Sequence, residues 1–193
     1  MEEILKKYSK DEQEKIIMSI ISLAKHIDDM ISQYGYLETM KWVYSEMDKY
    51  EIEKPVSCTS GCSFCCYLHV TVSQLEIVPI IDYCNKNNID IDISVLEKQE
   101  HANNVDEFAT IPYKDRKCVF LKDNKCSIYP VRPLACRKYY VVNDPEICNS
   151  EHVLNTTLVR YSLKKEITAY AVWLLSEPTS FSKNLKKCLQ ENK

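Results

Sequence analysis

Glycine and long apolar runs are both scarce in this sequence. Only two of its 193 residues are glycine, Gly35 and Gly61, so the chain has no glycine-rich loop of the kind that holds an organic cofactor. The longest strongly apolar stretch runs from Thr168 to Ser176, well short of the ~20 residues needed to cross a bilayer. The sequence therefore predicts no membrane span and no glycine-based cofactor site.

An excess of positive charge is also missing. Lysine and arginine total 25 and aspartate and glutamate total 28, which gives a net charge of -3. Nucleic acid and anionic lipid surfaces attract basic proteins, so neither is predicted as a partner. The amino terminus alternates charges and lacks the apolar segment of a secretion signal. We therefore expect a cytoplasmic protein with no membrane partner.

Cysteine, by contrast, is abundant, with ten residues. In a reducing cytosol disulfides are rare, and clustered thiolates more often bind a metal. A disulfide framework is the alternative, but it is typical of small secreted domains. A chain of this length with 45% hydrophobic residues can bury a core unaided. The cysteines therefore predict a metal site.

The spacing of apolar residues predicts a mainly α-helical α+β fold with a small β-hairpin around the cysteine cluster. Apolar side chains recur every three or four residues from Ile16 to Ile31 and from Leu37 to Met47, which predicts two helices with a break at Gly35. No linker or repeat divides the chain. We expect one domain over 1–193, formed by an N-terminal helical scaffold (1–54), a metal-binding core (55–150) and C-terminal helices (151–193).

Local signals predict one further helix in the middle of the chain. Ser73 and Glu76 have the spacing of a capping box, and Val72 with Ile77 has the spacing of a hydrophobic staple. This pattern predicts a helix that begins at Ser73 and continues for about three turns. Pro79 lacks the backbone donor that a helix needs at that position, so we expect a kink or a later start.

The second half of the chain shows turn and helix-start signals. Asp123-Asn124 predicts a β-hairpin, and Pro133 and Asp144-Pro145 each predict the start of a helix. Apolar periodicity from Leu154 predicts a long helix that ends before Pro178. A short terminal helix should follow.

Four cysteines fall within nine residues, in the arrangement Cys58-x3-Cys62-x2-Cys65-Cys66. A tight turn, consistent with Gly61, would bring such thiolates around an ion about 2.3 Å from each sulfur. The adjacent pair Cys65 and Cys66 should point in different directions, which makes a shared ion awkward. Either two centres exist, or one of the pair is a spare thiol.

Three further cysteines have distinct constraints. With a three-residue loop, Cys118 and Cys126 would stand roughly 13 Å apart along the hairpin strands and could not share one ion unless the hairpin curled. Cys136 should lie in the first turn of the helix after Pro133, where the helix dipole favours a thiolate.

Histidine and arginine side chains near the cysteines have several possible roles. His69 lies three residues after Cys66 and His152 lies four residues after Cys148, so either could complete a metal site, although eight cysteines suffice for two four-coordinate centres. Arg132 and Arg137 could stabilise thiolates, bind an anionic substrate or pair with carboxylates.

Together these motifs resemble the CxxCxxCC family of YkgJ-like cysteine-cluster proteins, which are zinc- or iron-chelating domains. The family pattern has a first cluster that ends in a cysteine pair, a segment of the form C-x-F-L…C-x-I-Y-x-x-R-P-x-x-C-R, and a later cysteine. The resemblance covers about residues 58–148, with a first spacing of three residues instead of two. It implies that zinc, or iron as an iron–sulfur cluster, is bound by Cys58, Cys62, Cys65, Cys66, Cys118, Cys126, Cys136 and Cys148.

Two other functions stay open. The family includes flagellin lysine-N-methylases, so the resemblance also implies an iron–sulfur-dependent methyltransferase that uses S-adenosylmethionine and acts on a protein lysine. Cys58-x3-Cys62-x-Phe64-Cys65 has the form of the radical S-adenosylmethionine motif, but such enzymes resemble partial α/β barrels, which this sequence does not match. A third function is a zinc-stabilised module that binds a protein partner. Whether the chain is an enzyme stays open.

Overall fold

The fold was analysed in a computed structural model, which describes residues 2–50, 56–59, 61–142, 144–149, 151, 159–160 and 162–191. Eight α-helices and six two-residue strands lie in these ranges, and the predicted mainly helical α+β class is confirmed. The helices are α1 Glu2–Leu5, α2 Lys10–Lys49, α3 Gln74–Lys86, α4 Ile93–Gln99, α5 Val105–Ala109, α6 Leu134–Lys138, α7 Leu163–Leu175 and α8 Phe181–Glu191. The strands are β1 Thr71–Val72, β2 Leu121–Lys122, β3 Lys125–Cys126, β4 Tyr140–Val141, β5 Val159–Arg160 and β6 Thr179–Ser180.

Helix α2 contains the predicted break. It begins with a capping box in which the Ser9 N–H donates to the Glu12 carboxylate at 2.8 Å. At Gly35 the backbone leaves the helical region, with φ 78° and ψ 168°, so the helix consists of two segments across a kink. Only glycine adopts this conformation readily. The prediction of two helices joined at Gly35 is confirmed.

The first core lies between α2 and α7. Its fully buried side chains include Ile27, Met40, Val43 and Met47 from α2, and Ala169 and Val172 from α7. These residues have the three- and four-residue spacing that buries one face of a helix. The N-terminal scaffold is therefore packed against the C-terminal part of the chain.

The long helix predicted from Leu154 is shorter than expected. Val159 and Arg160 form a strand that pairs antiparallel with Tyr140 and Val141, and α7 begins only at Leu163. Pairing with β4 holds this part of the chain extended, against its helical periodicity. Residues 152–158 and 161 lie outside the described part of the chain.

Helix α3 confirms the predicted capping box. The Ser73 N–H and hydroxyl both donate to the Glu76 carboxylate, at 2.8 and 3.0 Å. Val72 and Ile77, the predicted staple, are both fully buried in a second core. The later start predicted from Pro79 is wrong, because the helix begins at Gln74 and continues through the proline to Lys86. The end-capping contacts of Glu76 outweigh the loss of one backbone donor.

The second core packs α3, α4 and α8 around the hairpin. Phe120, Ile128 and Leu185 are almost fully buried there. The hairpin joins β2 to β3 through Asp123 and Asn124, which have φ of 48° and 56°. Two positive φ values are typical of a two-residue type I′ turn. The hairpin prediction is confirmed, and its loop has two residues rather than three.

None of the helices described by the structure is both long enough and apolar enough to span a membrane.

Candidate metal centre

The first cysteine loop is built from consecutive tight turns. Gly61 has φ 92°, and the Cys62 N–H donates to the Thr59 carbonyl at 3.1 Å. A 3₁₀ turn over Phe64–Tyr67 follows, in which the Cys66 N–H donates to the Ser63 carbonyl at 2.9 Å. The tight turn predicted at Gly61 is therefore present.

A direct backbone bond joins the hairpin to this loop. The Cys118 N–H donates to the Cys66 carbonyl at 2.8 Å. The Cys118 carbonyl accepts a bond from the Leu121 N–H at 3.0 Å, so the chain turns between Cys118 and strand β2 instead of continuing straight. The expected strand separation of Cys118 and Cys126 therefore does not apply. Cys118 precedes β2 by a turn, so it is not on the straight hairpin arm from which the separation was predicted.

Cys136 and Cys148 come from two further turns of the chain. Helix α6 begins at Leu134 directly after Pro133, as predicted, and carries Cys136 in its first turn. The predicted start at Pro145 is also present, as a 3₁₀ turn over Pro145–Cys148. This turn packs against the 3₁₀ turn that contains Cys65 and Cys66.

The adjacent thiols of Cys65 and Cys66 interact with each other, which lowers the pKa of Cys65 to about 7 and raises the pKa of Cys66. Both lie in a 3₁₀ turn, a backbone that differs from the helix and strand considered from sequence. Cys65 is the exposed member of the eight cysteines.

Cys118, Cys126 and Cys136 form one electrostatic group with Cys66 and Cys65. Burial raises the pKa of Cys118 to about 12, and it raises the pKa of Cys126 and of Cys136. Charge on Cys65 raises the pKa of each of these thiols further, and Cys118 and Cys136 likewise raise that of Cys66. The expected thiolate at Cys136 is wrong for the metal-free protein, because burial and nearby thiols outweigh the dipole of a five-residue helix.

Cys148 belongs to a second electrostatic group. Burial raises its pKa to about 11, and the thiols of Cys58, Cys62 and Cys65 raise it further. The eight thiols thus fall into two neighbouring groups that share Cys65.

The donor set fits a soft metal ion. Thiolates select zinc, iron–sulfur clusters and other soft centres over calcium or magnesium. Among the residues that the structure describes, no three His, Cys, Asp or Glu side chains are already placed to hold one ion. The thiols are near enough to shift one another's pKa, but they would have to approach further to bind one ion.

Two arginines next to Cys136 have different roles. Arg137 is fully buried, donates to Asp48 at 2.6 Å and to the carbonyls of Arg132 and Pro130, and lies 4.2 Å above the Tyr44 ring. It pairs with a carboxylate and anchors α6 to α2. Arg132 also forms an ion pair with Asp48, at 3.7 Å, and its guanidinium lies 3.8 Å from the centroid of the Tyr129 ring. Its charge lowers the pKa of Cys65, Cys126 and Cys136, against burial that raises all three.

His69 packs against helix α5. Its ring packs against Phe108, with ring centroids 5.5 Å apart, and burial lowers its pKa while the Ala102 carbonyl and Glu107 raise it. Its Nε2 atom is buried without a hydrogen-bond partner among the described residues. None of these contacts involves a cysteine. His152 lies outside the described residues.

Cys84 and Cys188 fall outside the family pattern, and neither contributes to the pKa shifts of the two thiol groups. Both are buried in the second core, and burial raises the pKa of Cys84 to about 11. The Gln74 side chain donates to the Cys188 sulfur at 2.6 Å.

Glu76 is the residue near the site whose role the sequence predicted only in part. Besides capping α3, its carboxylate accepts the Leu134 N–H at the start of α6, at 2.8 Å, and the Trp173 Nε1–H of α7, at 3.0 Å. It is fully buried. The capping box identified the local contact, but no sequence signal could identify Leu134 and Trp173, which are 58 and 97 residues away.

A cavity of about 590 Å³ opens beside the first cysteine loop. Cys62 and Phe64 lie in its wall, together with Tyr67 and Tyr113, whose rings stack at 4.6 Å. Asn124 from the hairpin turn completes the rim, and the Ser63 hydroxyl donates to its side-chain oxygen at 3.3 Å. A small molecule would therefore have access to the Cys62 side of the site.

Comparison with protein families matches part of the chain. Neither curated proteins nor solved structures match the chain. Residues 57–154, just over half of the chain, match the profile of the CxxCxxCC family, described as a "putative zinc- or iron-chelating domain". The match contains all eight thiols of the two electrostatic groups. The chain therefore belongs to the CxxCxxCC family.

Proposed function

We propose that this protein binds zinc or iron in two neighbouring four-cysteine centres. Two contacts between distant segments support the proposal: the 3₁₀ turn that ends in Cys148 packs against the turn with Cys65 and Cys66, and the Cys118 N–H donates to the Cys66 carbonyl. The division of the eight thiols into two electrostatic groups that share Cys65 agrees with these contacts. The first centre would use Cys58, Cys62, Cys65 and Cys148, and the second would use Cys66, Cys118, Cys126 and Cys136. Cys65 and Cys66 then serve neighbouring centres, which resolves how an adjacent pair can both be ligands.

Each centre would connect segments that are distant in sequence. The first would link the Cys58–Cys66 loop to the 3₁₀ turn at Cys148, and the second would link that loop to the hairpin and α6. The loop has no buried residue in its described part between Val56 and His69. A metal ion would supply the stabilisation that apolar burial supplies elsewhere.

Full thiolate coordination suits a tetrahedral zinc ion and an iron–sulfur cluster equally well. Zinc would act structurally, whereas an iron–sulfur cluster would add electron transfer. The positive charge of Arg132 beside three of the thiols offsets the negative charge that either centre would carry. The metal must therefore be identified by measurement.

The decisive experiment is anaerobic purification with iron, zinc and acid-labile sulfide quantified per chain. We expect zinc without sulfide for zinc centres, or iron with sulfide and brown absorbance for clusters. Cys58→Ser should reduce the metal content to that of the second centre, and Cys126→Ser to that of the first. Cys84→Ser, outside both groups, should leave it unchanged.

Three outcomes would contradict the proposal. Substoichiometric iron and zinc in the wild-type protein would remove metal binding altogether. Unchanged metal content in Cys58→Ser and Cys126→Ser would remove these ligands. Loss of all metal in both variants, with folding retained, would indicate one joint centre instead of two.

A second candidate function, iron–sulfur-dependent methyl transfer from S-adenosylmethionine, draws its support from the cavity beside Cys62. An enclosed structural zinc site in a protein-interaction module would not need such a cavity. Calorimetric titration of S-adenosylmethionine into the metal-loaded protein tests this function. Absence of binding would remove it without affecting the two-centre proposal.

A further inference from the structure

Helix α2 has a second apolar face that neither core covers. Ile17, Met18 and Ile21 are 41%, 63% and 48% exposed, while their sequence neighbours Ile16 and Ile20 are buried in the first core. Residues 17, 18 and 21 are neighbours on a helix surface. Three large apolar side chains therefore form one continuous patch on an outer helix, which is typical of an interaction surface.

Charged residues frame this patch with opposite signs at its two ends. Glu14 lies four residues before Met18, and Lys25 lies four residues after Ile21. Both are exposed, and no described residue forms an ion pair with either. The patch and these two charges follow the 14, 18, 21, 25 spacing of a seam between two packed helices.

We propose that this face binds a second copy of the same chain, with the two α2 helices antiparallel. In this arrangement, a two-fold axis passes through the midpoint between residues 19 and 20 and relates the two α2 helices. Met18 of each copy then lies opposite Ile21 of the other, and Glu14 of each copy lies opposite Lys25 of the other. The dimer thus gains an apolar centre and two ion pairs from one self-complementary face.

The charge pattern selects both the partner and the direction. Parallel packing of the same faces would place Glu14 against Glu14 and Lys25 against Lys25, which is repulsive. The antiparallel arrangement also brings Lys10 of one copy beside Asp29 of the other. Asp11 and Asp28 form the one like-charged pair, at the exposed ends of the interface where solvent screens it.

The size of the face sets the strength of the dimer. The helix from Lys10 to Asp29 is about 30 Å long at 1.5 Å per residue. A single helix pair of this length buries on the order of 1,000 Å², at the low end for specific complexes. We therefore expect a reversible dimer whose fraction rises with protein concentration.

Sedimentation velocity of the full chain under reducing conditions tests the proposal, with dilution from about 200 to about 2 µM spanning the affinities expected of small interfaces. The wild-type protein should shift from dimer towards monomer over this range. Ile21→Glu should be monomeric throughout, with unchanged circular dichroism because Ile21 is exposed. A wild-type protein that is monomeric at every concentration would overturn the proposal.

Charge reversal separates this interface from any other. Glu14→Lys alone and Lys25→Glu alone should each weaken dimerisation at least tenfold, because each places like charges opposite one another in both symmetric positions. The double variant E14K/K25E should restore the wild-type dissociation constant. Lys114→Glu, an exposed lysine on a different part of the molecule, is the control. Failure of the double variant to restore dimerisation would contradict the antiparallel arrangement.

Discussion

The helical core between α2 and α7 and the cysteine loop at residues 56–69 are stabilised in different ways. Between α2 and α7, side chains such as Ile27, Met40 and Met47 are fully buried, so the helices have an apolar core. In the cysteine loop, the described residues from Val56 to His69 include no buried side chain, and the local structure consists of turns. One region can fold by apolar burial alone, whereas the other lacks that source of stability.

Metal binding should stabilise the cysteine loop more than the helical scaffold. Burial of apolar surface is independent of metal, so the helical scaffold should be stable in the metal-free protein. The cysteine loop is tied to the hairpin by the backbone bond from Cys118 to Cys66, by the long bond from Ser63 to Asn124, and by its thiols. We expect this loop to depend on metal for its order.

Metal removal should have the largest effect and should separate the two regions. Free energies of about 10–16 kcal/mol accompany zinc binding at thiolate-containing structural sites. Chelation should therefore expose the amides of Cys62, Cys66 and Cys118 to hydrogen exchange, while the amides of α2 and α7 stay protected. Hydrogen–deuterium exchange with mass spectrometry measures both regions at once. Equal loss of protection in both would contradict the division.

Truncation of a scaffold side chain should lower the stability of the protein without changing its metal content. Ile27→Ala removes a fully buried side chain and should lower the free energy of unfolding by about 2–5 kcal/mol. The metal content of the folded protein should stay unchanged. Urea unfolding and metal analysis provide the two measurements, and Leu174→Ala, at an exposed position, is the control with little expected effect. Loss of metal in folded Ile27→Ala would show that the regions are coupled.

Glu76 connects the two regions, and its substitution should affect both. In Glu76→Gln the amide cannot accept from both the Leu134 N–H and the Trp173 N–H, so we expect a loss of about 1–3 kcal/mol in the free energy of unfolding. Urea unfolding measures this loss, and weaker metal binding should accompany it because α6 carries Cys136. Unchanged stability would show that its contacts contribute little.

The charge of Glu76 should also make stability depend on pH. Burial raises its pKa above the usual 4.5, against hydrogen bonds that lower it, so the folded protein retains this proton more readily than the unfolded chain. The resulting stabilisation is complete below pH 4.5 and is lost as the pH rises through the raised pKa. Glu76→Gln should lack this decrease. A decrease of equal size in both proteins would assign it to another group.

Substitution of the two glycines should have the smallest effects, and it compares the two regions directly. Gly35 and Gly61 both have positive φ, and at neither glycine does a neighbouring atom lie within 4 Å of the position that a Cβ would take, so alanine would introduce backbone strain without a clash. Gly35→Ala should cost about 1–2 kcal/mol of unfolding free energy and leave metal affinity unchanged. Gly61→Ala should weaken metal binding more than it destabilises the scaffold. Competition with a chromophoric chelator measures metal affinity, and urea unfolding measures stability. Equal changes in both quantities for the two variants would contradict the expected difference between the two regions.

Several features of the fold could be predicted because their causes are local. Ser73 and Glu76 are three residues apart, Gly35 interrupts its own helix, and Asp123-Asn124 turns the hairpin by its own backbone conformation. The helix predicted from Leu154 failed for the opposite reason. Its strand conformation depends on pairing with β4, about 20 residues away in sequence, and this pairing overrides local periodicity.

The sequence by itself determined the chemistry of this protein, because eight cysteines in the family pattern specify soft thiol donors wherever the chain places them. It also determined the main helices, whose apolar spacing is a local property. Only the tertiary structure decided which cysteine segments lie together: the turn of Cys148 packs against the turn of Cys65 and Cys66, and the Cys118 backbone bonds to the Cys66 carbonyl. These contacts join residues that are distant along the chain, and their geometry depends on the packing of the turns, hairpin and helices between them.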